Sequence, residues 1–302
     1  MFESRRSGET RYGTECKDNV GGGTLSVDSL GALLRPGLLV KKVVGKLRRK
    51  ATRFPANPVI GLVNDTVRFE HKRLPFLTED NQLAMLTGSY DLILQEFLKR
   101  HLRPGDTVID GGANVGFVSA LIASNVGPTG EVHGFEPLLE CFERCQVLAS
   151  LNPQFHFFFH NAALGEEDGV LPIFCPEGDA RNATLIAGKN YTDARQVPVK
   201  RLDDYIATNI RSPEKIRVIK LDVQGFEYLV LRGLEKFFSG TTLRPVIACD
   251  MKPWEIRNIG HTLEDFDRYM TSFGYRAFDI VRENVPIDLR SLTDWRAVVF
   301  KT

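Results

Sequence analysis

A short loop between Asp110 and Gly116 carries the clearest chemical signal in this sequence. Residues 107–109 predict a buried strand, Asp110 ends it, and a glycine-rich turn leads into an apolar helix. In an open α/β sheet, ligands bind outside the carboxyl ends of the strands. Glycine has no Cβ, so Gly112 and Gly116 leave room for a ligand at the backbone. Asn114 offers a hydrogen-bond donor and an acceptor, and the loop therefore predicts a small-molecule site.

The spacing of this loop is not that of a dinucleotide-binding loop. The G-x-G-x-x-G pattern requires a glycine three residues before Gly116, and Ala113 occupies that position. A purely structural turn is the alternative explanation, because Asp-Gly-Gly is ordinary turn chemistry.

A second acid supports a nucleoside site. Residues 131–135 predict the next strand, and Glu136 follows it, 20 residues after Gly116. A carboxylate at about this distance can accept hydrogen bonds from both hydroxyls of an adenosine ribose. An acid that favours the start of a helix is a compatible explanation, because Pro137 follows it.

The acid-x-Gly-x-x-x-Gly pattern resembles motif I of the class I S-adenosylmethionine-dependent methyltransferases. The resemblance implies S-adenosyl-L-methionine as the cofactor, with Asp110 facing its cationic methionine part directly or through water. The other cofactor-binding residues that it implies in these two motifs are Gly112, Ala113, Asn114, Gly116 and Glu136.

Longer segments are similar to the FkbM family of methyltransferases, in the right order and over about half of the chain. Similar proteins transfer a methyl group to a hydroxyl oxygen of a sugar, a glycan or a secondary metabolite. Two positions depart from the family pattern. Gln224 replaces the glutamate of Lys-x-Asp-x-Glu-Gly, which removes a charge, and Asp250 replaces a glutamate after strand five, which shortens the acid. The matching segments are residues 104–116, 134–137, 199–205, 219–233 and 245–250.

Lys220 and Asp222 are two residues apart at the end of the fourth predicted strand, so we expect both to face the acceptor. A sugar hydroxyl is a poor nucleophile, so in-line methyl transfer requires a base as well as positioning. We expect Asp222 to be that base or to orient the acceptor, with Lys220 positioning it; a structural ion pair is the alternative. Asp250 ends the adjacent strand, where it and Asp222 could share Mg²⁺. Because two acids form a thin ligand set, a site without metal is favoured.

Further candidates lie outside these motifs. Asn161 and Ala162 end the third strand, where related methyltransferases contact adenine. Tyr90, in a Gly-x-Tyr-acid pattern like that of the family, is expected to close over the methionine end. Trp254 and His261 follow strand five on the acceptor side. Trp254 could stack on a sugar ring, and packing explains it equally well.

Strands and helices alternate after residue 107, which predicts a mostly parallel sheet. The resemblance implies an α/β, doubly wound, Rossmann-like fold with helices on both faces. Its seven strands are expected in the order 3-2-1-4-5-7-6, with strand 7 antiparallel. Ahead of the first strand, the apolar stripe predicts one continuous helix over residues 81–102. Downstream, a single helix is predicted over residues 226–238. The strands are expected near residues 107–109, 131–135, 155–160, 218–221, 246–249, 275–281 and 295–301.

Three regions are predicted along the chain: a basic, partly disordered extension over residues 1–53, a lead-in over 54–80, and the methyltransferase domain over 81–302. Residues 29–53 combine eight lysines and arginines with many leucines and valines, and contain no acid. Such a segment can lie on an anionic membrane surface. A solvated helix packed on the domain is the alternative.

Composition favours a cytoplasmic enzyme. A net charge of +1 gives no reason to expect nucleic acid as a partner, and the five cysteines have no metal-ligand spacing. No signal peptide is recognised, which also favours the cytoplasm, with membrane contact only through residues 29–53. Residues 111–130 are uncharged but contain five glycines and a proline, so no membrane helix is predicted there.

The leading hypothesis is an O-methyltransferase that acts on a small-molecule or glycan hydroxyl. A non-catalytic cofactor-binding module is the second hypothesis, suggested by Gln224. A nicotinamide-dependent oxidoreductase is the third, and Ala113 disfavours it. A nucleic-acid methyltransferase is not expected, because the catalytic half has neither a strong basic excess nor an Asn/Asp-Pro-Pro-Tyr motif.

Overall fold

The computed structural model describes residue 55 and residues 57–175, 182–186 and 194–302. The predicted extension over residues 1–53, with its basic segment 29–53, lies outside the described residues, as does Cys16.

Strands and helices alternate through most of the described chain. The strands are β1 Val59–Val63, β2 Val67–His71, β3 Thr107–Gly111, β4 Glu131–Phe135, β5 His156–His160, β6 Ala163–Gly165, β7 Gly169–Phe174, β8 Ala194–Arg201, β9 Ile216–Leu221, β10 Val246–Met251, β11 Arg276–Asp279 and β12 Arg296–Lys301. The α-helices are α1 Glu79–Leu86, α2 Leu92–His101, α3 Phe117–Val126, α4 Leu139–Leu151, α5 Leu202–Asn209, α6 Glu227–Arg232, α7 Glu235–Gly240, α8 Pro253–Asn258 and α9 Leu263–Ser272.

Seven strands form the central sheet, in the order β11-β12-β10-β9-β3-β4-β5. Strand β12 is antiparallel to both of its neighbours, whereas the pairs from β10 to β5 are parallel. Numbered by position in the chain, the order is 3-2-1-4-5-7-6 with strand 7 antiparallel. The predicted topology is therefore confirmed.

Alternation along the central strands supplies two apolar faces, because successive side chains of a strand point to opposite sides. Val108 and Val218 belong to a buried cluster that includes residues of α2, α3 and α4. Ile109 and Ile219 belong to a second cluster with residues of α5, α6 and α9. The sheet is thus covered by helices on both faces, as a doubly wound fold requires.

Two small sheets accompany the central one. Strands β1 and β2 form an antiparallel pair, and β6, β8 and β7 form a three-stranded sheet. Because β6 starts three residues after β5, this second sheet lies next to the carboxyl end of the central sheet. Its residues Ala163, Leu164 and Ile173 reach the cavity described below.

The predicted continuous helix over residues 81–102 is wrong, because the chain forms two helices with a break at residues 87–91. Gly88 has a left-handed backbone, with φ of 66°. Asp91 is also left-handed and caps α2, since its side chain accepts a hydrogen bond from the Leu94 N–H at 3.0 Å. A glycine and a capping acid thus override the apolar periodicity. The helix predicted over residues 226–238 is likewise two helices, α6 and α7.

No helix within the described ranges combines the length and the apolar character needed to cross a bilayer. The uncharged run over residues 111–130 consists of the end of β3, a loop, helix α3 and the turn before β4.

Candidate active site

A cavity of about 410 Å³ opens at the carboxyl ends of β3, β4, β9 and β10. Residues 112–115 and Glu136 form one part of its wall. Residues 222–224, Asp250 and Lys252 form another. The sheet order makes this arrangement, because β3 and β9 are neighbours at the point where chain order reverses. The loop of residues 112–116 is called the β3 loop below, and that of residues 222–226 the β9 loop.

Three left-handed residues shape the β3 loop: Gly112, Asn114 and Gly116, with φ of 76°, 50° and 83°. The backbone N–H groups of Gly112 and Ala113 both donate to the carbonyl oxygen of Phe135, at 3.0 Å. A Cβ on Gly112 would lie 2.1 Å from the backbone oxygen of Asp222. Position 112 therefore requires glycine because the β9 loop approaches it closely, whereas the sequence suggested only ligand access.

Asp110 and Lys220 are partners across β3 and β9, directly opposite each other in register. The Lys220 Nζ lies 2.9 Å from Asp110 Oδ1, and Ser119 Oγ donates to Asp110 Oδ2 at 2.6 Å. Lys220 Nζ also donates to the carbonyl oxygens of Gly111 and Gly112, at 3.2 and 2.9 Å. This ammonium therefore joins the start of the β3 loop to β9.

The charge of Lys220 is stabilised by its carboxylate neighbours. Burial alone would lower the pKa of this ammonium, but the carboxylates of Asp110 and Asp222 hold it above its ordinary value. Asp110 itself is fully buried. It is not among the described residues that line the cavity. Its expected contact with the methionine part of a cofactor thus remains a prediction.

Glu136 lies in the cavity wall and holds two backbone N–H groups. Its Oε2 accepts from Asn114 at 2.8 Å and its Oε1 accepts from Leu138 at 2.9 Å. Desolvation of the buried carboxyl raises the pKa of Glu136 to about 7. Asn161 Nδ2 donates to the carbonyl oxygens of Glu136 and Pro137, both at 2.9 Å, which fixes the turn after β4. Asn161 thus supports the backbone that carries Glu136.

The part of the cavity beside the β3 loop, lined by Asn114, Phe135, Glu136 and Leu164, offers polar and apolar groups that an adenosyl group could contact. Asn114 Oδ1 is buried and has no hydrogen-bond partner among the described residues. An unsatisfied buried acceptor costs about 1–3 kcal/mol, so a ligand donor is favoured there. The Glu136 carboxylate lies beside Asn114, because it accepts a hydrogen bond from the Asn114 backbone N–H, and it offers further acceptor atoms. Phe135 and Leu164 form the apolar part of the wall. Ala162 is buried. Neither Ala162 nor Asn161 is among the described residues that line the cavity.

The β9 loop carries polar groups that contact one another. Gln224 Nε2 donates to Asp222 Oδ1 at 2.5 Å, and the Lys252 ammonium donates to Gln224 Oε1. Thr184 Oγ1 donates to the backbone oxygen of Gln224 at 2.7 Å. Beneath the loop, the buried Glu227 accepts from the N–H groups of residues 223 and 225, at 2.9 and 3.0 Å. Burial raises the pKa of Glu227 to about 8.

Two more acids face the same end of the cavity as Asp222. Asp250 is largely desolvated and lies near the charges of Asp222 and Asp91, which together raise its pKa to about 7. Burial, with a contribution from Asp222, also raises the pKa of Asp91 above its ordinary value. Trp295 Nε1 donates to Asp250 Oδ2 at 3.3 Å, and its indole is 52% exposed at the cavity.

Comparisons with known proteins identify the family of the chain. The family model for the Methyltransferase FkbM domain matches residues 110–277, which is more than half of the chain. The chain belongs to this family. A curated fungal relative, Methyltransferase 1 of Beauveria bassiana (strain ARSEF 2860), is 30% identical over 152 residues, covering 44% of this chain and 60% of the relative. The match thus spans less than two thirds of that protein.

Two solved structures are similar at low sequence identity. An FkbM methyltransferase from Methylobacillus flagellatus KT is 16% identical, with a TM-score of 0.42, and the match covers 74% of this chain and 55% of that one. Aeropyrum pernix fibrillarin, solved with natively bound S-adenosyl-L-methionine, is 13% identical, with a TM-score of 0.41, and the match covers 83% and 84% of the two chains.

Among the candidate residues of this FkbM chain, the structure separates those at the cavity from those elsewhere. Tyr90 lines the wall and packs edge-to-face on Phe117, with ring centroids 5.6 Å apart. Trp254 and His261 lie outside the wall formed by the described residues. The His261 ring instead packs edge-to-face on Tyr228 at 4.8 Å.

Sequence reasoning missed Asp91, Lys252 and Trp295. Asp91 was assigned to the interior of a helix, and the glycine at position 88 was the available signal for a break. Trp295 directly precedes β12, which is antiparallel to β10. It therefore lies near the carboxyl end of β10, where Arg296 pairs with Met251. That position follows from the predicted strand order, although the residue was not singled out.

The described residues of the FkbM chain offer few groups for a metal ion. Within the described ranges, no cluster of three or more histidine, cysteine, aspartate or glutamate side chains is arranged to hold one. Mg²⁺ shared by Asp222 and Asp250 stays a prediction. Family membership favours the methyltransferase hypothesis over the nicotinamide-dependent oxidoreductase.

Proposed function

We propose that the chain is an S-adenosylmethionine-dependent O-methyltransferase whose acceptor is a hydroxyl of a sugar, a glycan or a secondary metabolite. One observation carries this proposal: a single cavity joins the nucleoside end, with Asn114 and Glu136, to an acidic end, with Asp222 and Asp250. Membership of the FkbM family supports methyl transfer as the reaction.

The nucleoside end would bind the cofactor through acceptor atoms. Glu136 would accept hydrogen bonds from the ribose hydroxyls, Asn114 Oδ1 would accept from a further donor of the cofactor, and Tyr90 would close over the methionine end. Gly112, Ala113 and Gly116 give the β3 loop its shape, while Asn161 and Ala162 support the adenine side. When bound, S-adenosylmethionine supplies a methyl group on a positively charged sulfur. The carboxylates of the acidic end favour that positive charge.

Asp222 is the residue that we assign to the acceptor proton. Its Oδ1 is held by Gln224, and we assign Oδ2 to the acceptor hydroxyl. Lys220, bonded to Asp110 and the β3 loop, keeps β9 and the loop in one arrangement. The distance between cofactor and acceptor sides is therefore set by packed backbone, which favours catalysis by positioning.

Trp295 supports a ring-shaped acceptor that carries hydroxyls. Its exposed indole offers an apolar face, and the bond from Nε1 to Asp250 fixes the orientation of that face. Sugar rings stack their C–H faces on indole while their hydroxyls bond to carboxylates. Asp250 would thus position both the indole and a neighbouring hydroxyl.

Labelled S-adenosylmethionine, offered with the methyl glycosides of glucose, galactose, mannose and rhamnose, tests the proposal. We expect transfer to at least one of them. Asp222→Asn should keep the affinity for S-adenosylhomocysteine and lower kcat roughly 100-fold or more, because general-base catalysis is lost. Asp204→Asn, at an exposed residue away from the cavity, is the matched control.

Three results would change the proposal. Near-wild-type kcat in Asp222→Asn would refute the role of this residue. Cofactor binding without transfer to any glycoside would favour a non-catalytic module or another acceptor class. Activity that EDTA removes and Mg²⁺ restores would establish a metal at the acidic end.

A further inference from the structure

We propose that Gln224 is a positioning residue for Asp222, because its side-chain amide joins the Asp222 carboxylate to the Lys252 ammonium. The inference rests on the proposed function, since it assigns Asp222 to the acceptor. It also gives a role to the position at which this chain departs from the family pattern of Lys-x-Asp-x-Glu-Gly.

The two contacts of the side chain match the donor and the acceptor of an amide. Gln224 donates through Nε2 to Asp222 Oδ1 at 2.5 Å and accepts through Oε1 from Lys252. Only a group with a donor at one end and an acceptor at the other satisfies both partners. An ionised glutamate would accept from Lys252 but would place a carboxylate oxygen against Asp222. The departure from the family pattern therefore creates a bond that the usual residue cannot make in its charged form.

The backbone at this position explains why the bond is well defined. Gln224 has a left-handed backbone, with φ of 53°, where glycine or asparagine would be less strained. Thr184, itself buried, holds the Gln224 carbonyl oxygen. Glu227 holds the N–H groups of Val223 and Gly225 on either side. Contacts on both sides of Gln224 therefore hold its backbone, and with it the start of the side chain, in one conformation.

The amide also separates Lys252 from the carboxylate that would react. A direct ion pair would cover the Asp222 oxygens with an ammonium. Because the Gln224 amide lies between them, the Lys252 ammonium does not contact the Asp222 carboxylate directly. Asp222 remains in the cavity wall. Asp222 lies near Asp91 and Asp250, and the Lys220 ammonium already offsets part of the repulsion among these carboxylates. The bridge thus orients the Asp222 carboxylate and leaves Oδ2 available to the acceptor.

Side-chain amide NMR tests the bridge without any acceptor. In the wild-type chain loaded with S-adenosylhomocysteine, we expect one Gln224 amide proton to be shifted downfield and protected from exchange. Gln224→Met assigns this signal by removing it, and Asp222→Ala and Lys252→Met should each move it. A Gln224 amide that resonates and exchanges like that of an exposed glutamine would overturn the inference.

Kinetics with the methyl glycoside that the wild-type chain methylates fastest test the consequence. Gln224→Met should lower kcat roughly tenfold and Gln224→Glu roughly 100-fold, with KM for S-adenosylmethionine changed less than about twofold. Gln224→Asn keeps an amide but is one methylene shorter, so it should resemble Gln224→Met. Gln154→Met, at an exposed turn before β5, is the matched control and should leave kcat unchanged.

The outcomes separate the two proposals. Wild-type kcat in Gln224→Met would overturn the positioning role while leaving the methyltransferase proposal intact. If the wild-type chain methylates no glycoside in the panel, the proposed acceptor class fails, and the NMR signal alone decides whether the bridge exists.

Discussion

The β3 loop and the β9 loop follow neighbouring strands and are held by similar contacts, but the acid at the start of each loop is paired differently. Each contains left-handed residues, and each is held by a buried glutamate that accepts two backbone N–H groups, Glu136 in one case and Glu227 in the other. Before the β3 loop, the charge of Asp110 is neutralised by Lys220. In the β9 loop, Asp222 stays in the cavity wall and is bridged to Lys252.

This difference suggests how one cavity serves two partners. Neutralising Asp110 leaves the β3 loop with its backbone shape and with the acceptor atoms of Asn114 and Glu136, which would suit a nucleoside. Keeping Asp222 beside Asp91 and Asp250 places several carboxyl groups at the other end, which would suit the cationic methyl donor and the hydroxyl acceptor that we propose. In both loops a buried glutamate fixes the backbone. The pairing of the nearby aspartate determines how much negative charge faces the cavity.

The largest expected effect comes from breaking the ion pair between β3 and β9. Lys220→Met leaves the Asp110 carboxylate buried with no ammonium beside it, which should lower the free energy of unfolding by roughly 3–5 kcal/mol. Urea denaturation measures the change. The exposed pair of Arg268 and Glu264 is the control, and Arg268→Met should cost less than about 1 kcal/mol. Equal losses in the two variants would contradict a structural role for Lys220.

A smaller effect should follow from filling the contact between the loops. Gly112→Ala adds a Cβ that would lie 2.1 Å from the Asp222 oxygen at a backbone φ of 76°. We expect a loss of about 3 kcal/mol in unfolding free energy from strain and overpacking, together with weaker S-adenosylhomocysteine binding. Gly260→Ala has a similar φ of 80° and open space, so it should lose only about 1 kcal/mol. Equal losses would mean that backbone strain, and not the approach of the β9 loop, determines position 112.

The smallest effect is the pH dependence of cofactor binding. With a pKa of about 7, Glu136 becomes ionised between pH 6 and 8. In the proposed site the ionised form would accept hydrogen bonds from both ribose hydroxyls. The affinity for S-adenosylhomocysteine, measured by calorimetry, should therefore increase roughly tenfold over this range. Glu136→Gln should remove the increase. A wild-type affinity that falls with rising pH would refute this role.

The stability of the unliganded chain should show the opposite trend. The pKa of Glu136 is raised from 4.5 to about 7 by burial, so the unfolded chain loses its proton first as pH rises. This residue's contribution to stability is complete below pH 4.5 and is lost as pH approaches 7. Glu136→Gln should therefore flatten the decline in unfolding free energy over this window relative to the wild type.

Much of the fold was predictable because it depends on local patterns. The strand boundaries near residues 107 and 131, the strand order and Glu136 follow from apolar runs, glycine spacing and a family resemblance. The break between α1 and α2 was not predicted, because Gly88 and Asp91 compete with an apolar stripe that continues through them. Asp91 therefore entered the site only with the structure.

The sequence by itself determined where the central strands lie along the chain and that a glycine-rich turn follows β3, since these depend on neighbours in the chain. Only the tertiary structure decided that Lys220 meets Asp110, that the Asp222 backbone crowds Gly112, and that Gln224 reaches Lys252. These contacts depend on the register of β3 against β9 and of β9 against β10. Register is set by the packing of whole faces of the sheet, which no short stretch of sequence contains.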